Sequence, residues 1–189
     1  AGQKRPFFFL IDFEKTKPLV LTPDEAKAQG LLFDINGYKN FDATPKLNVN
    51  PEVKIHAVDF ERYKKAFDHV LYRLKQGDSY LVNLTFPTKI QLQASLEELF
   101  YTAKAPYRLW VKDRLLSYSP ECFIKIKQGK VISYPMKGTL DAEYPNAAQT
   151  LLGNPKELWE HSTIVDLIRN DLSQYARGVK VNKFRYLDT

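Results

Sequence analysis

Four runs close together in the chain decide the fold class: Tyr107-Arg108-Leu109-Trp110-Val111, Arg114-Leu115-Leu116-Ser117, Cys122-Phe123-Ile124-Lys125-Ile126-Lys127 and Lys130-Val131-Ile132-Ser133-Tyr134. Each is short, rich in aromatic and β-branched residues, and bounded by turn-forming positions, which predicts a strand. The last two form a hairpin across Gln128-Gly129. In it Ile124 and Ile126 face one side and Lys125 and Lys127 the other. Strands joined this tightly run antiparallel.

Working outward, residues 95–102 predict a helix and residues 79–90 a strand, with Pro87 marking an edge or bend. Before them, Phe60, Tyr63, Phe67, Val70, Leu71 and Leu74 keep the three-and-four spacing of an amphipathic helix. Asp59 is placed to cap it, and Gly77 sits where the helix should stop. Residues 7–13 and Leu19–Leu21 read as a hairpin across Lys15-Thr16-Lys17-Pro18. Thr22-Pro23-Asp24-Glu25 is a helix start, with Thr22 as cap, Pro23 at the first position and Glu25 at the third. Gly30 ends that helix, Leu31–Ile35 is a strand closed by Asn36-Gly37, and residues 41–52 are an irregular linker. Downstream, residues 155–172 form the last helix. The expected class is α+β, with mostly antiparallel sheets flanked by helices. Residues 1–52 are a strand-rich N-terminal segment packing on a core formed by residues 53–189.

Composition narrows the function. The 189 residues are 44% hydrophobic and 26% charged, as in an ordinary globular chain. This excludes a disordered, collagenous or disulfide-framework protein. The single cysteine, Cys122, favours a reducing compartment such as the cytoplasm. No apolar run approaches the ~20 residues that span a bilayer, so no membrane role is expected. The net charge of +6 is spread along the chain without a nucleic-acid motif. A solvated basic surface accounts for it, and a small anionic substrate is compatible with it. His56, His69 and His161 lack metal-ligand spacing, Cys122 reads as a small apolar residue, and there is no glycine-rich phosphate loop.

Two segments carry chemistry. In Tyr134-Pro135-Met136-Lys137-Gly138-Thr139 a strand ends at a proline, and a lysine follows in a turn closed by glycine. A lysine on a turn is ordinarily a solvated charge. Held desolvated at a strand end, Lys137 would have a lowered pKa and become a nucleophile. The Gly138 N–H and the Thr139 hydroxyl could then bind a substrate oxygen. In the last helix Glu157, Glu160 and Asp171 share a face with Ile164 and Leu167. Carboxylates in an apolar stripe need a partner, and two of them one turn apart suit Mg2+. A dipole role at the helix start is the alternative, and explains Glu157 better than Glu160. Asp166 and Arg169 read as a surface ion pair. Glu121, in Ser119-Pro120-Glu121, reads on its own as a surface carboxylate.

Together these segments resemble the chorismate-utilising enzymes. The carriers are residues 75–85 (Lys75-Gln76-Gly77-Asp78 onward), Tyr118-Ser119-Pro120-Glu121, residues 135–139, and residues 160–172 with Asp166-Leu167-Ile168-Arg169-Asn170-Asp171-Leu172. Asp12-Phe13-Glu14 and Phe33-Asp34-Ile35-Asn36-Gly37 extend the likeness towards the N-terminus. The resemblance implies part of that family's chorismate-binding α/β sandwich. Within the family Lys137 is similar to the lysine of the aminodeoxychorismate-forming branch, where anthranilate- and isochorismate-forming members have alanine. It implies a reaction of chorismate and ammonia giving 4-amino-4-deoxychorismate, for para-aminobenzoate and folate. Lys137 would be the nucleophile, Glu121 a proton-handling glutamate, Gly138 and Thr139 the ring pocket, and Glu160 a Mg2+ ligand, to which the helix spacing adds Glu157. Leu81 stands where isochorismate-forming members carry a base lysine and ammonia users often have glutamine, and Met136 replaces the usual isoleucine. Family members take nitrogen as ammonia or through a glutamine amidotransferase subunit. The family continues past the position of Thr189 with a second Mg2+-binding glutamate and contacts to the substrate carboxylates. Residues 1–189 therefore resemble an N-terminal portion, expected to be inactive alone. Anthranilate synthesis and a non-catalytic anion-binding module are the competing readings.

Overall fold

The structure, a computed structural model, describes residues 5–42 and 52–188. The chain runs β1 (Phe8–Leu10), β2 (Leu19–Leu21), α1 (Pro23–Ala28), β3 (Leu31–Ile35), β4 (Tyr38–Lys39), β5 (Val53–His56), α2 (Phe60–Lys75), β6 (Lys89–Leu92), α3 (Leu96–Thr102), β7 (Tyr107–Val111), β8 (Leu115–Ser119), β9 (Lys125–Lys127), β10 (Lys130–Ile132), α4 (Ala147–Gly153) and α5 (Pro155–Ser173). This is the expected α+β class, and every strand pairing is antiparallel.

The central sheet has the order β4-β3-β7-β8. Its middle strands are apolar on both faces, so each face must be covered. The period of two sends Leu31, Phe33, Leu109 and Val111 to one side, where they pack with Phe8, Leu10, Leu21 and Ala26 from the β1–β2 hairpin and α1. It sends Leu32 and Trp110 to the other, against Phe41, Leu96, Phe100 and Tyr101. Phe33 and Phe100 are sealed from water, each contributing about 1.5–3 kcal/mol of burial. β3 turns into β4 through Asn36 and Gly37, both at positive φ (51° and 90°), the mirror-image hairpin turn that matches strand twist.

Local chemistry sets the helix ends. Thr22 with Glu25, and Ser95 with Glu98, form reciprocal capping boxes. Asp59 accepts the Arg62 N–H at 3.0 Å, and Asn154 caps α5 ahead of Pro155. Arg108 joins β7 to the end of α3. One guanidinium nitrogen donates to the Phe100 and Ala103 carbonyls at 3.0 and 2.6 Å, and the other to Asp34 at 3.0 Å.

Several strands are shorter than the sequence suggests. Of residues 79–90, only 89 and 90 enter β6. Pro87 lacks a donor, and the Ser79 hydroxyl bonds locally to the Leu81 carbonyl (3.1 Å) and N–H (3.4 Å), competing with a ladder. The 7–13 strand stops at Leu10 because Asp12 gathers the Thr16 and Lys17 N–H groups into a turn. β9 and β10 keep the expected hairpin, with Gln128 and Gly129 at positive φ, but begin at Lys125 and end at Ile132. β4, β5 and α4 are additional to the expected elements. Of the linker at 41–52, residues 43–51 lie outside the described residues. Among the described residues no helix is long and apolar enough to cross a membrane.

Candidate active site

β8 delivers the chain to Ser119-Pro120-Glu121. The Ser119 hydroxyl donates to the Glu121 carbonyl at 3.0 Å and accepts its N–H at 3.1 Å, closing a tight turn. The Glu121 carboxylate then accepts the Met136 N–H at 3.2 Å. That bond ties the turn after β8 to the segment after β10 and brings Glu121 beside Lys137.

Gly138 follows with φ of +73°, the left-handed region where a side chain is strained. Its lack of a side chain also has a packing reason. A Cβ there would lie 2.7 Å from a Glu157 carboxylate oxygen and 3.0 Å from Leu151. Glu157, at the start of α5, thus packs directly on the turn that carries Lys137.

These pieces surround a cavity of about 410 Å³. Glu121, Lys137, Gly138, Thr139 and Glu157 all line it, together with Tyr134 and His161. Lys125, Arg185 and Asp188 add charge to its wall. The cavity therefore carries three basic side chains and three carboxyl side chains, with Leu151 and Met136 among its apolar lining.

Two placements differ from what the sequence suggests. Lys137 is exposed rather than desolvated, as a lysine on a turn ordinarily is. Glu160 does not line the cavity; it pairs with Lys156 at 3.4 Å across one helical turn. The reason lies in helix geometry. Position 161 is only about 40° from position 157 around the axis, whereas position 160 is about 60° away on the other side. His161 is thus the side chain that joins Glu157 at the wall, a place its spacing from the other histidines does not suggest. Burial, and then the nearby Arg185 charge, hold the His161 pKa below its ordinary value. The stripe is also less apolar-facing than expected, since Leu167 and Asp171 are exposed. Asp166 and Arg169 do form the surface pair, at 3.4 Å. Cys122 is half-buried at the cavity wall.

Glu157 and Glu160 offer two hard oxygen ligands one turn apart, a donor set Mg2+ accepts while keeping several waters. Among the described residues no third His, Cys, Asp or Glu joins them in a metal-holding cluster. The donor types suit the ion; in this structure both carboxylates lie near the Lys156 amine, Glu157 at 3.9 Å and Glu160 at 3.4 Å.

The sequence model of the chorismate binding enzymes matches residues 13–189. The chain belongs to the chorismate binding enzyme family. Among its relatives in that family, an uncharacterized PabA-like protein of Haemophilus influenzae is 47% identical over 189 residues, covering 98% of this chain and 56% of its own length. A second PabA-like protein, from Pasteurella multocida, is 43% identical over 98% of this chain and 58% of its own length. This chorismate binding chain thus spans little more than half of either relative. Aminodeoxychorismate synthase component 1 of Klebsiella aerogenes is 34% identical over 61% of the chain and 28% of its own length. No solved structure matches.

Proposed function

We propose that this chorismate binding enzyme acts in the conversion of chorismate and ammonia to 4-amino-4-deoxychorismate and water. The observation that carries the reading is the convergence of Lys137, Glu121 and Glu157 on one cavity. The likeness to aminodeoxychorismate synthase component 1 supports it, and Lys137 favours it over the anthranilate synthases to which the chain is also similar.

The roles follow from the chemistry of the groups. The Lys137 amine, when neutral, donates its lone pair to a ring carbon. A C–N bond forms, and the ring C–O bond breaks with its electron pair going to the departing hydroxyl. Glu121, as its acid, gives that oxygen a proton, so water leaves. Ammonia then forms the new C–N bond at C4, the bond to Lys137 breaks, and the surplus proton returns to the Glu121 carboxylate. Every atom of substrate, ammonia and water is accounted for. The Gly138 N–H and the Thr139 hydroxyl orient the ring. Glu160 and Glu157 would hold Mg2+, whose charge offsets that of a substrate carboxylate and of the departing oxygen. A subunit that releases ammonia from glutamine is a compatible partner, and the cytoplasm is the setting this chemistry fits.

The experiment is to quench the full-length enzyme with chorismate in the absence of ammonia and map adducts by mass spectrometry. A mass gain on the peptide containing Lys137, lost in Lys137→Ala, is expected. Unmodified Lys137, together with aminodeoxychorismate formed at the wild-type rate by Lys137→Ala, would show that the lysine is not the nucleophile. Anthranilate as the wild-type product would move the enzyme to the neighbouring branch.

A further inference from the structure

Arg185 has no assigned role, yet it is built into the cavity wall in an unusual way. Its backbone takes φ of +50°, a left-handed conformation that crowds a long side chain. One terminal nitrogen donates to the Leu151 carbonyl at 3.1 Å, near the end of α4. A cation at a helix end is ordinarily a cap, and that explains this single bond. It leaves the rest of the fork of five N–H donors without assignment. Among the described residues no carboxylate pairs with Arg185, although Asp188 and Glu157 line the same cavity. His161 lies close enough to feel its charge, and the Phe184 ring, next in the chain, packs 5.1 Å from the His161 ring. The guanidinium is therefore anchored at one nitrogen, with no further hydrogen bond or ion pair to it among the described residues.

We propose that Arg185 is a carboxylate-binding residue of this cavity, holding one carboxylate of a small-ring dicarboxylate through the N–H groups that the Leu151 carbonyl leaves unused. Planar bidentate recognition is what a guanidinium offers and an ammonium does not. The cavity of about 410 Å³ accommodates a single six-membered ring with its substituents. Lys125, which also lines the cavity, supplies a second cation for the second carboxylate. Choosing chorismate as the dicarboxylate rests on the function proposed above; the carboxylate subsite itself rests on Arg185.

The test titrates the protein with chorismate, with isophthalate as a plain ring dicarboxylate, and with isophthalamide as its uncharged counterpart. Affinity is read by calorimetry, and the Arg185 side-chain N–H signal by NMR, assigned through its absence in Arg185→Gln. The expected result is binding of both dicarboxylates, a downfield shift of the Arg185 signal, and no binding of isophthalamide. Arg185→Gln should weaken dicarboxylate binding about 10- to 100-fold, the loss of a charge-assisted hydrogen-bonded contact. Arg185→Lys keeps the charge and the helix-end contact but loses the fork, and should fall between. Its circular dichroism guards against misfolding. If isophthalate binds through Arg185 and chorismate does not bind, the subsite stands and the proposed substrate falls. Equal affinities for wild type and Arg185→Gln, or no dicarboxylate binding by wild type, would overturn the Arg185 assignment.

Discussion

Asn40 has almost no contact with water, and its side chain does the work of a strand. Its oxygen accepts the Phe33 N–H at 2.9 Å, and its amide donates to the Leu31 carbonyl at 2.8 Å. Asn40→Ala should cost roughly 2–4 kcal/mol in urea unfolding, because two buried backbone groups lose their partners. Nothing in Lys39-Asn40 announced burial, since asparagine is read as a turn residue unless its partners are known. Gly138 was more legible, because a glycine after a proline-bounded strand end already implied a special turn. What the sequence lacked was the Glu157 contact, which joins residues far apart in the chain. Gly138→Ala should destabilise the protein by about 1–2 kcal/mol from backbone strain alone, and further by displacing the Glu157 carboxylate. A double-mutant cycle with Glu157→Ala should recover the second part and not the first. Additive losses would mean that the two residues do not press on each other.

The helices were the readable elements, and their caps were the reason. Ser95 and Glu98 made the start of α3 plain, and the same pair gives it a pH dependence. Hydrogen bonds from the Ser95 N–H, then from its hydroxyl, hold the Glu98 carboxyl below its ordinary 4.5. In the unfolded chain Glu98 titrates near that ordinary value. The cap's contribution is therefore complete above pH 4.5 and is lost as the pH falls through the lower folded value. Glu98→Gln should show a shallower decline of melting temperature between pH 5 and 3 than wild type. Parallel acid limbs would remove Glu98 from the account. Strands were harder to read, because their limits depend on what they pair with. Residues 79–88 have strand-like composition but no ladder, while β5 gains one only from β6. On α5 the carboxylates were legible. Their bearing towards the cavity was not, because choosing among positions 157, 160 and 161 needs the neighbour that they face.

The molecule as a whole exposes 15,744 Å², against about 9,300 Å² for a compact chain of this mass. The excess is partly apolar: Ile55, Ile90, Phe60 and Phe67 are all open to water on β5, β6 and α2. The protein should therefore bind the dye ANS at neutral pH. Phe67→Ser with Ile90→Thr should lower that fluorescence without shifting the main unfolding transition, since neither residue joins the two buried clusters. Unchanged fluorescence would place the dye elsewhere. At this scale the element order was legible and the pairing was not. β3 and β7 are adjacent in the sheet, and no local pattern ties residue 33 to residue 109. That adjacency has a consequence on the ribosome. At about 5–20 residues per second, the roughly 75 residues separating the two strands take some 4–15 s to be made. During that interval Leu31, Leu32 and Phe33, apolar on both faces, have left the exit tunnel without the strand that completes their ladder. Trigger-type chaperones that clasp extended apolar segments would find their longest-lived target there, and synonymous changes that slow translation between the two strands would prolong it.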